Sequence, residues 1–237
     1  MAKTKILVIE DDRSLSEVLS YNLKQAGYDV LTASDGQDGL LQAQIKSPDI
    51  VILDLMLPVI DGLDVCRRLR ADASTRELLI VMLTAKADES DELIGFSLGA
   101  DDYVTKPFSV KVLLERIKAL RRRRSTDVAP DEVTTKFGIT VDRRRHQALA
   151  NGQPLPLTHS EFRLLDTLIR QPGRVFHRAE LIDAALGEDT MVMERTIDVH
   201  IRALRRKLDE HADVIETVRG VGYRFRDTDA VLEPADA

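Results

Sequence analysis

The sequence predicts a five-stranded, doubly wound parallel α/β sheet followed by a smaller α+β unit built on a helix-turn-helix and two hairpins. Three observations predict it. In the first half, short continuous apolar runs alternate with amphipathic helical segments, which implies parallel strands buried on both faces and joined by right-handed crossovers. At 121–131 the pattern breaks, as four arginines (Arg121, Arg122, Arg123, Arg124) run into a Ser/Thr/Asp/Pro stretch typical of a solvated helix end and linker. In the second half, short strands separated by glycine turn signals replace the βα alternation. The expected division is 1–122 for the sheet domain, 123–133 for a linker, 134–227 for the second domain and 228–237 for an acidic tail.

Taken in order, a strand at 5–10 leads into an amphipathic helix at 14–25 that Gly27 ends, since glycine takes the left-handed cap without penalty. A strand at 29–33 and a helix at 36–46, closed by Pro48, come next. Ile50-Val51-Ile52-Leu53 then forms a buried strand that ends on Asp54, and a turn with Pro58 and Gly62 leads to a helix at 63–70. The run 78–84 is a fourth strand. A helix near 88–98, Gly99, a strand at 103–106 and a helix from Val110 to about Arg123 complete the first half. Beyond the linker, strands at 137–142 and 146–150 flank a basic turn, and Asn151-Gly152 is a strong hairpin signal before a returning strand at 153–157. Thr158 with Glu161 three residues on predicts a capped helix that Pro172-Gly173 stops. A short helix at 178–186, a loop at 187–193, a longer helix at 194–209 and a hairpin of 215–218 with 223–226 follow.

Bulk properties exclude several classes. No segment approaches the roughly 20 consecutive apolar residues of a membrane span. The first residues lead into a strand with no signal-peptide core, and Cys66 is the lone cysteine, which leaves no intramolecular disulfide or thiolate cluster. These features suggest a cytoplasmic protein. The net charge of −6 argues against nucleic acid, yet residues 195–226 carry eight basic against five acidic side chains. A local basic stripe weighs more for DNA than the global sum.

The first chemistry lies at strand ends, where open α/β sheets collect ligands. Glu10, Asp11 and Asp12 follow the first strand and Asp54 closes the third. If the two strands are neighbours, these carboxylates converge and repel unless a hard cation neutralises them, and oxygen ligands point to Mg²⁺. Asp12 alone is better explained as a helix cap. Thr84 and Lys106 close the fourth and fifth strands. A carboxylate, a hydroxyl, a lysine and an acidic metal pocket suit transfer of a phosphoryl group onto carboxylate, with Asp54 attacking in line. Each residue alone is ordinary. The set at four strand ends is not.

The second chemistry lies on the helix at 194–209. Ile197, Ile201, Leu204 and Leu208 share one face, and Arg195, Val199, Arg202 and Arg206 share the other. An isolated amphipathic surface helix would be the plainer reading. The preceding short helix and loop, and the basic glycine-rich hairpin that follows, instead favour a helix lying in the major groove with Val199 near a thymine methyl. Arg219 at the hairpin tip would enter the adjacent minor groove.

These residues carry two resemblances. Residues 5–120, through Glu10-Asp11, Asp54, Pro58, Gly62, Thr84-Ala85, Gly99-Ala100-Asp101-Asp102-Tyr103 and Lys106-Pro107-Phe108, resemble the flavodoxin-like receiver domains of two-component response regulators. That resemblance implies that Asp54 accepts phosphate from a partner sensor histidine kinase. Asp11, Asp54 and the Met56 carbonyl would hold Mg²⁺, with Glu10 acting through water, and Thr84 and Lys106 would grip the phosphoryl oxygens. Tyr103 would be the switch aromatic and Lys106–Pro107 a cis peptide.

Residues 137–226, through Leu157-Thr158-x-x-Glu161-Phe162, Arg195-Thr196-Ile197-Asp198-Val199-His200-Ile201, Leu204-Arg205-x-Lys207-Leu208 and Val218-Arg219-Gly220-x-Gly222-Tyr223, resemble the winged-helix effector domain of the OmpR/PhoB family. By that resemblance Arg195, His200, Arg202, Arg205, Thr217, Arg219 and Tyr223 contact DNA, and the loop 187–193 engages RNA polymerase. Phosphorylation would favour a homodimer through the receiver, with Asp101, Asp102 and Arg116 at the interface, placed on tandem half-sites.

Departures from the family pattern are Leu186 where tryptophan is common, Ala203 where some members carry arginine, and Glu92 with Val112 where a basic residue and a glutamate often pair. The rival readings are an aspartyl-phosphate phosphatase, which needs an acid where Met56 stands, and a receiver that docks partners without phosphate. On the family reading the chain is a transcription regulator and not an enzyme for an external substrate.

Overall fold

The computed structural model describes residues 3–85, 98–125, 132–185 and 195–227. The expected helix near 88–98, the loop 187–193, Leu186 and Glu92 lie outside them, apart from the last residue of that helix.

The first domain runs β1 (Lys5–Ile9), α1 (Arg13–Gln25), β2 (Asp29–Ala33), α2 (Gly36–Lys46), β3 (Ile50–Asp54), α3 (Gly62–Ala71), β4 (Leu79–Ala85), β5 (Asp102–Lys106) and α4 (Val110–Ser125). Among the described residues the strands form one five-stranded sheet in the order β2-β1-β3-β4-β5, and every pairing is parallel. The unbroken apolar runs have the expected cause, because both faces are covered. Side chains alternate across a strand. Leu7, Ile9, Val51, Leu53, Ile80 and Met82 share one packed cluster with Val65, Cys66 and Leu69 of α3. Ile6, Val8, Ile50, Ile52, Leu79 and Val81 share the other with Leu19 and Leu23 of α1 and Leu113 and Ile117 of α4. The Cys66 thiol is buried, which pushes its pKa up to about 11.

Aspartates start the helices that follow strand ends. Asp12 accepts the amides of Ser14 and Leu15, Asp35 that of Asp38 and Asp61 that of Asp64. The cap reading of Asp12 holds. α4 extends two residues beyond the expected end near Arg123.

The second domain begins with β6 (Val133–Lys136), β7 (Ile139–Asp142), β8 (Gln147–Ala150) and β9 (Gln153–Pro154), an antiparallel sheet in that order. It continues with α5 (His159–Arg170), β10 (Phe176–His177), α6 (Arg178–Ala185), α7 (Arg195–Leu208), a 3₁₀ turn over Asp209–Val214, β11 (Ile215–Val218) and β12 (Gly222–Phe225). β6 was not expected from the sequence: it lacks apolar alternation, and its turn places Phe137 at φ 50° and Gly138 at φ 78°. The strand expected over 153–157 shrinks to two residues, as Pro156 follows closely and pairing stops. The expected capping box is present, with Thr158 and Glu161 exchanging hydrogen bonds. On α7 the apolar face lies inward, with Ile197, Ile201, Leu204 and Leu208 all buried.

The two domains touch where α5 begins. The Ser160 hydroxyl donates to Asp101 Oδ1 at 3.0 Å, and both residues are buried. A Cβ on Gly99 would stand 2.9 Å from the Thr158 methyl.

Candidate functional site

Parallel strands deliver their carboxyl ends to one edge, and the fold brings Glu10, Asp11, Asp54, Thr84 and Lys106 there. Asp54 closes β3, Glu10 follows β1, and Thr84 sits one residue past the β4 position that pairs with Asp54. Lys106 pairs with Ala85 at the end of β5. The Lys106 ammonium donates to Glu10 Oε2 and to Asp54 Oδ2, each at 2.8 Å. Ligand oxygens of Glu10, Asp11 and Asp54 all lie within 4.8 Å of one another. Asp54 and Thr84 are each 3% exposed, whereas Asp11 is open to solvent.

The electrostatics follow from this crowding. Burial pushes the Glu10 carboxyl up to about 7; the Lys106 hydrogen bond opposes it and the Asp54 charge adds to it. Burial pulls the Lys106 ammonium down, but its hydrogen bonds to Asp54 and Glu10 prevail and hold it above its ordinary value. One ammonium therefore serves two buried carboxylates with a third beside them. An all-oxygen cluster short of positive charge fits a hard divalent cation. Gly62 makes the geometry possible, since a Cβ there would stand 2.1 Å from the Asp54 carbonyl oxygen. The Met56 amide donates to Asp54 Oδ1 at 3.3 Å, and its side chain is exposed, so the position two residues after Asp54 carries no acid. The Lys106–Pro107 peptide is cis. Tyr103 is buried, its hydroxyl against the Met82 sulfur.

Two residues expected at the dimer interface are buried and paired within this chain. Asp101 is 1% exposed, and its carboxylate accepts the Arg70 guanidinium at 2.7 Å, the Ile80 amide at 2.8 Å and the Ser160 hydroxyl. It is a buried node and not part of an open face. Asp102 is equally buried and pairs with Arg116 of the same chain at 2.7 Å. Arg70, missed from the sequence, also donates to the carbonyls of Gly99, Arg76 and Leu78. Its only signal was an arginine beside the buried Leu69 of α3.

The expected DNA-contacting residues divide into two groups. Arg202, Arg206, Thr217 and Arg219 are exposed, and Val199 is half-buried. Arg195 opens α7, and the structure does not describe its side chain. His200 is buried, and that desolvation lowers its pKa. It is therefore packed inside this conformation and not presented outward. Tyr223 is also buried, with its hydroxyl on Asp198 at 2.7 Å, and Arg205 donates to the Ile215 carbonyl and the Thr217 hydroxyl. Asp198 and Arg178 were missed. The signal was a lone acid within the basic run of α7.

Comparison with known proteins agrees with both halves. The response regulator receiver domain family matches residues 6–118, and the C-terminal family of transcriptional regulatory proteins matches 152–225. The chain is 44% identical over 92% of its length, and 97% of the relative's, to the phosphate regulon transcriptional regulatory protein PhoB of Rhizobium meliloti (strain 1021). It is 40% identical over 94% of its length, and 99% of the relative's, to the sensory transduction protein RegX3 of Mycolicibacterium smegmatis. Among solved structures, a point mutant of RitR superimposes with a TM-score of 0.74 at 28% identity, covering 95% of this chain and all of that one. DrrB, an OmpR/PhoB homologue from Thermotoga maritima, gives 0.50 at 29% identity with the same coverage.

Proposed function

This chain belongs to the OmpR/PhoB family of two-component transcriptional response regulators, and from that premise we propose that Asp54 is phosphorylated by a partner sensor histidine kinase to control DNA binding. The observation that carries the reading is the Lys106 ammonium held 2.8 Å from both Glu10 and Asp54 at the carboxyl edge of the sheet. One oxygen of Asp54 attacks the phosphorus of a phosphohistidine; the new P–O bond forms as the P–N bond breaks, and the imidazole leaves. The product is an acyl phosphate on Asp54. Lys106 and the Thr84 hydroxyl receive the charged phosphoryl oxygens. Glu10, Asp11, Asp54 and the Met56 carbonyl would hold Mg²⁺, which supplies neutralisation of the charge that gathers on the phosphoryl group.

Phosphorylation puts charge and acceptor oxygens beside Thr84 and Lys106, and rearrangement of Thr84 and Tyr103 passes the change to the dimerising face around Asp102 and Arg116. Two receivers in contact set two winged helices on half-sites about one helical turn apart. Arg202, Arg206 and Arg219 are the exposed cations that face DNA in this reading, with Arg195 at the start of the same helix. The loop 187–193 is the proposed RNA polymerase contact, and the protein works in the cytoplasm beside its kinase. No described helix is long and apolar enough to cross a membrane. The relatives are transcriptional regulators, not enzymes.

The test is labelling with a small acyl phosphate, with and without Mg²⁺, in wild type and Asp54→Ala, followed by sizing. Base-labile, Mg²⁺-dependent phosphate on wild type alone, with a shift to dimer, is expected. Equal labelling of the two proteins, or none with DNA binding unchanged, would sink the phosphoacceptor role of Asp54.

A further inference from the structure

Asp198 is the one acidic side chain in α7, whose other charged residues are basic. Near a polyanion a carboxylate weakens binding. Its place in the first turn favours the helix dipole, but a dipole partner needs no specific contacts. Asp198 has two. Its Oδ1 accepts the Tyr223 hydroxyl at 2.7 Å and Arg178 Nε at 2.9 Å, so one atom joins α7, the wing strand β12 and the start of α6.

Arg205 lies seven residues on, two turns along the same face. Its Nη2 donates to the Ile215 carbonyl at 2.6 Å and to the Thr217 hydroxyl at 2.9 Å, both on the other wing strand, β11. Thr217 and Tyr223 are register partners across the hairpin, and directly opposed residues of an antiparallel pair share a face. The helix therefore grips a single rung of the wing from both of its strands. The guanidinium carbons of Arg178 and Arg205 also lie 5.4 and 5.6 Å from the centre of the Tyr223 ring, within cation–π reach.

This rung is the last that α7 side chains bond before the tip, while β10 holds the other edge of β12 by pairing Phe176 with Tyr223 and His177 with Gly222. The next pair outward is Val218 with Gly222, after which the turn carries Arg219 into solvent. We propose that Asp198, Arg205 and Tyr223 are positioning residues that clamp the Thr217–Tyr223 rung to the recognition helix and so set where Arg219 reaches on DNA. The inference rests on the DNA-reading role of α7, and it reassigns Arg205, Thr217 and Tyr223 from DNA contacts to the clamp. A wing held at one distance lets helix and tip read the same site together. A loosened wing still meets phosphates, though not at a fixed spacing.

The test uses the full-length chain. A duplex enriched from a random pool by the wild type is compared with a scrambled duplex of equal length, at one salt concentration. Tyr223→Phe keeps the ring and removes the hydroxyl. It should lose about tenfold on the enriched duplex, as expected for one charge-assisted hydrogen bond, and stay within about twofold on the scrambled one. Asp198→Asn should also lose on the enriched duplex, while binding the scrambled duplex at least as tightly because a negative charge is gone. Arg219→Ala should cost less in the Tyr223→Phe background than in wild type, since an unmoored tip has less to lose. Equal losses on both duplexes, no loss on either, or an Arg219→Ala effect of the same size in both backgrounds would overturn the clamp. A wild type that enriches no duplex would overturn the DNA-reading role and the clamp with it. Unchanged thermal transitions for the two single variants separate a clamp effect from misfolding.

Discussion

At the residue scale, Glu10 shows most clearly what burial does to a carboxylate of the strand-end cluster. Its carboxyl titrates near 7 in the folded chain against an ordinary 4.5, chiefly because it is buried. The folded state therefore favours the protonated form. That contribution to stability is complete below about pH 4.5 and is lost as pH rises through about 7. Glu10→Gln removes the titration and leaves Lys106 its bond to Asp54. Urea midpoints of the metal-free proteins at pH 5 and pH 8 should differ less for the variant than for wild type. Millimolar Mg²⁺ at pH 8 should stabilise wild type more than the variant, because a cation favours the ionised carboxylate. Identical pH profiles for the two proteins would remove Glu10 as the source.

Single elements depend on close backbone approaches that one methyl group disturbs. The start of α3 lies against the end of β3, and a Cβ on Gly62 would stand 2.1 Å from the Asp54 carbonyl oxygen and 2.7 Å from the Leu55 Cα. Both are backbone atoms with no rotamer to yield. Gly62→Ala should cost about 1–3 kcal/mol of receiver stability, the range of core overpacking, and slow labelling of Asp54 by a small acyl phosphate. Urea denaturation and the labelling rate check the two effects, and an undiminished rate would show that the strand end tolerates the shift. Helix α7 shows the opposite dependence, on periodicity. Its inward face was legible from apolar spacing alone, since Ile197, Ile201, Leu204 and Leu208 recur at the helical period. The partners of its polar residues were not, because Tyr223 lies 25 residues from Asp198.

For the whole molecule, the contact between domains turns on Asp101. Its carboxylate is shared between Arg70 inside the receiver and Ser160 at the second position of α5. A dimer that needs Asp101 must compete with Ser160 for it. Ser160→Glu sets a second carboxylate against Asp101 and still suits the first turn of a helix, where an acid is favoured. The variant should keep both domains folded and enlarge the radius of gyration measured by small-angle X-ray scattering. An unchanged radius would mean that this hydrogen bond does not hold the domains together.

The sequence by itself determined the two-domain plan, the parallel sheet, the acidic strand ends with Thr84 and Lys106, and the amphipathic α7. Apolar runs, capping residues and turn glycines are local signals that sterics and burial translate directly into elements. Strand order came only from the packed sheet, which brings Lys106 within 2.8 Å of Glu10 although 96 residues separate them. Tertiary structure alone decided which polar groups face water and which face one another. It buried Asp101 against Arg70, turned His200 inward, and committed Tyr223 and Arg205 to contacts within the domain. The physical reason is that a polar side chain has several possible partners of similar strength. Only the packed chain sets which of them lies within hydrogen-bond reach, and burial then makes leaving it unpaired costly.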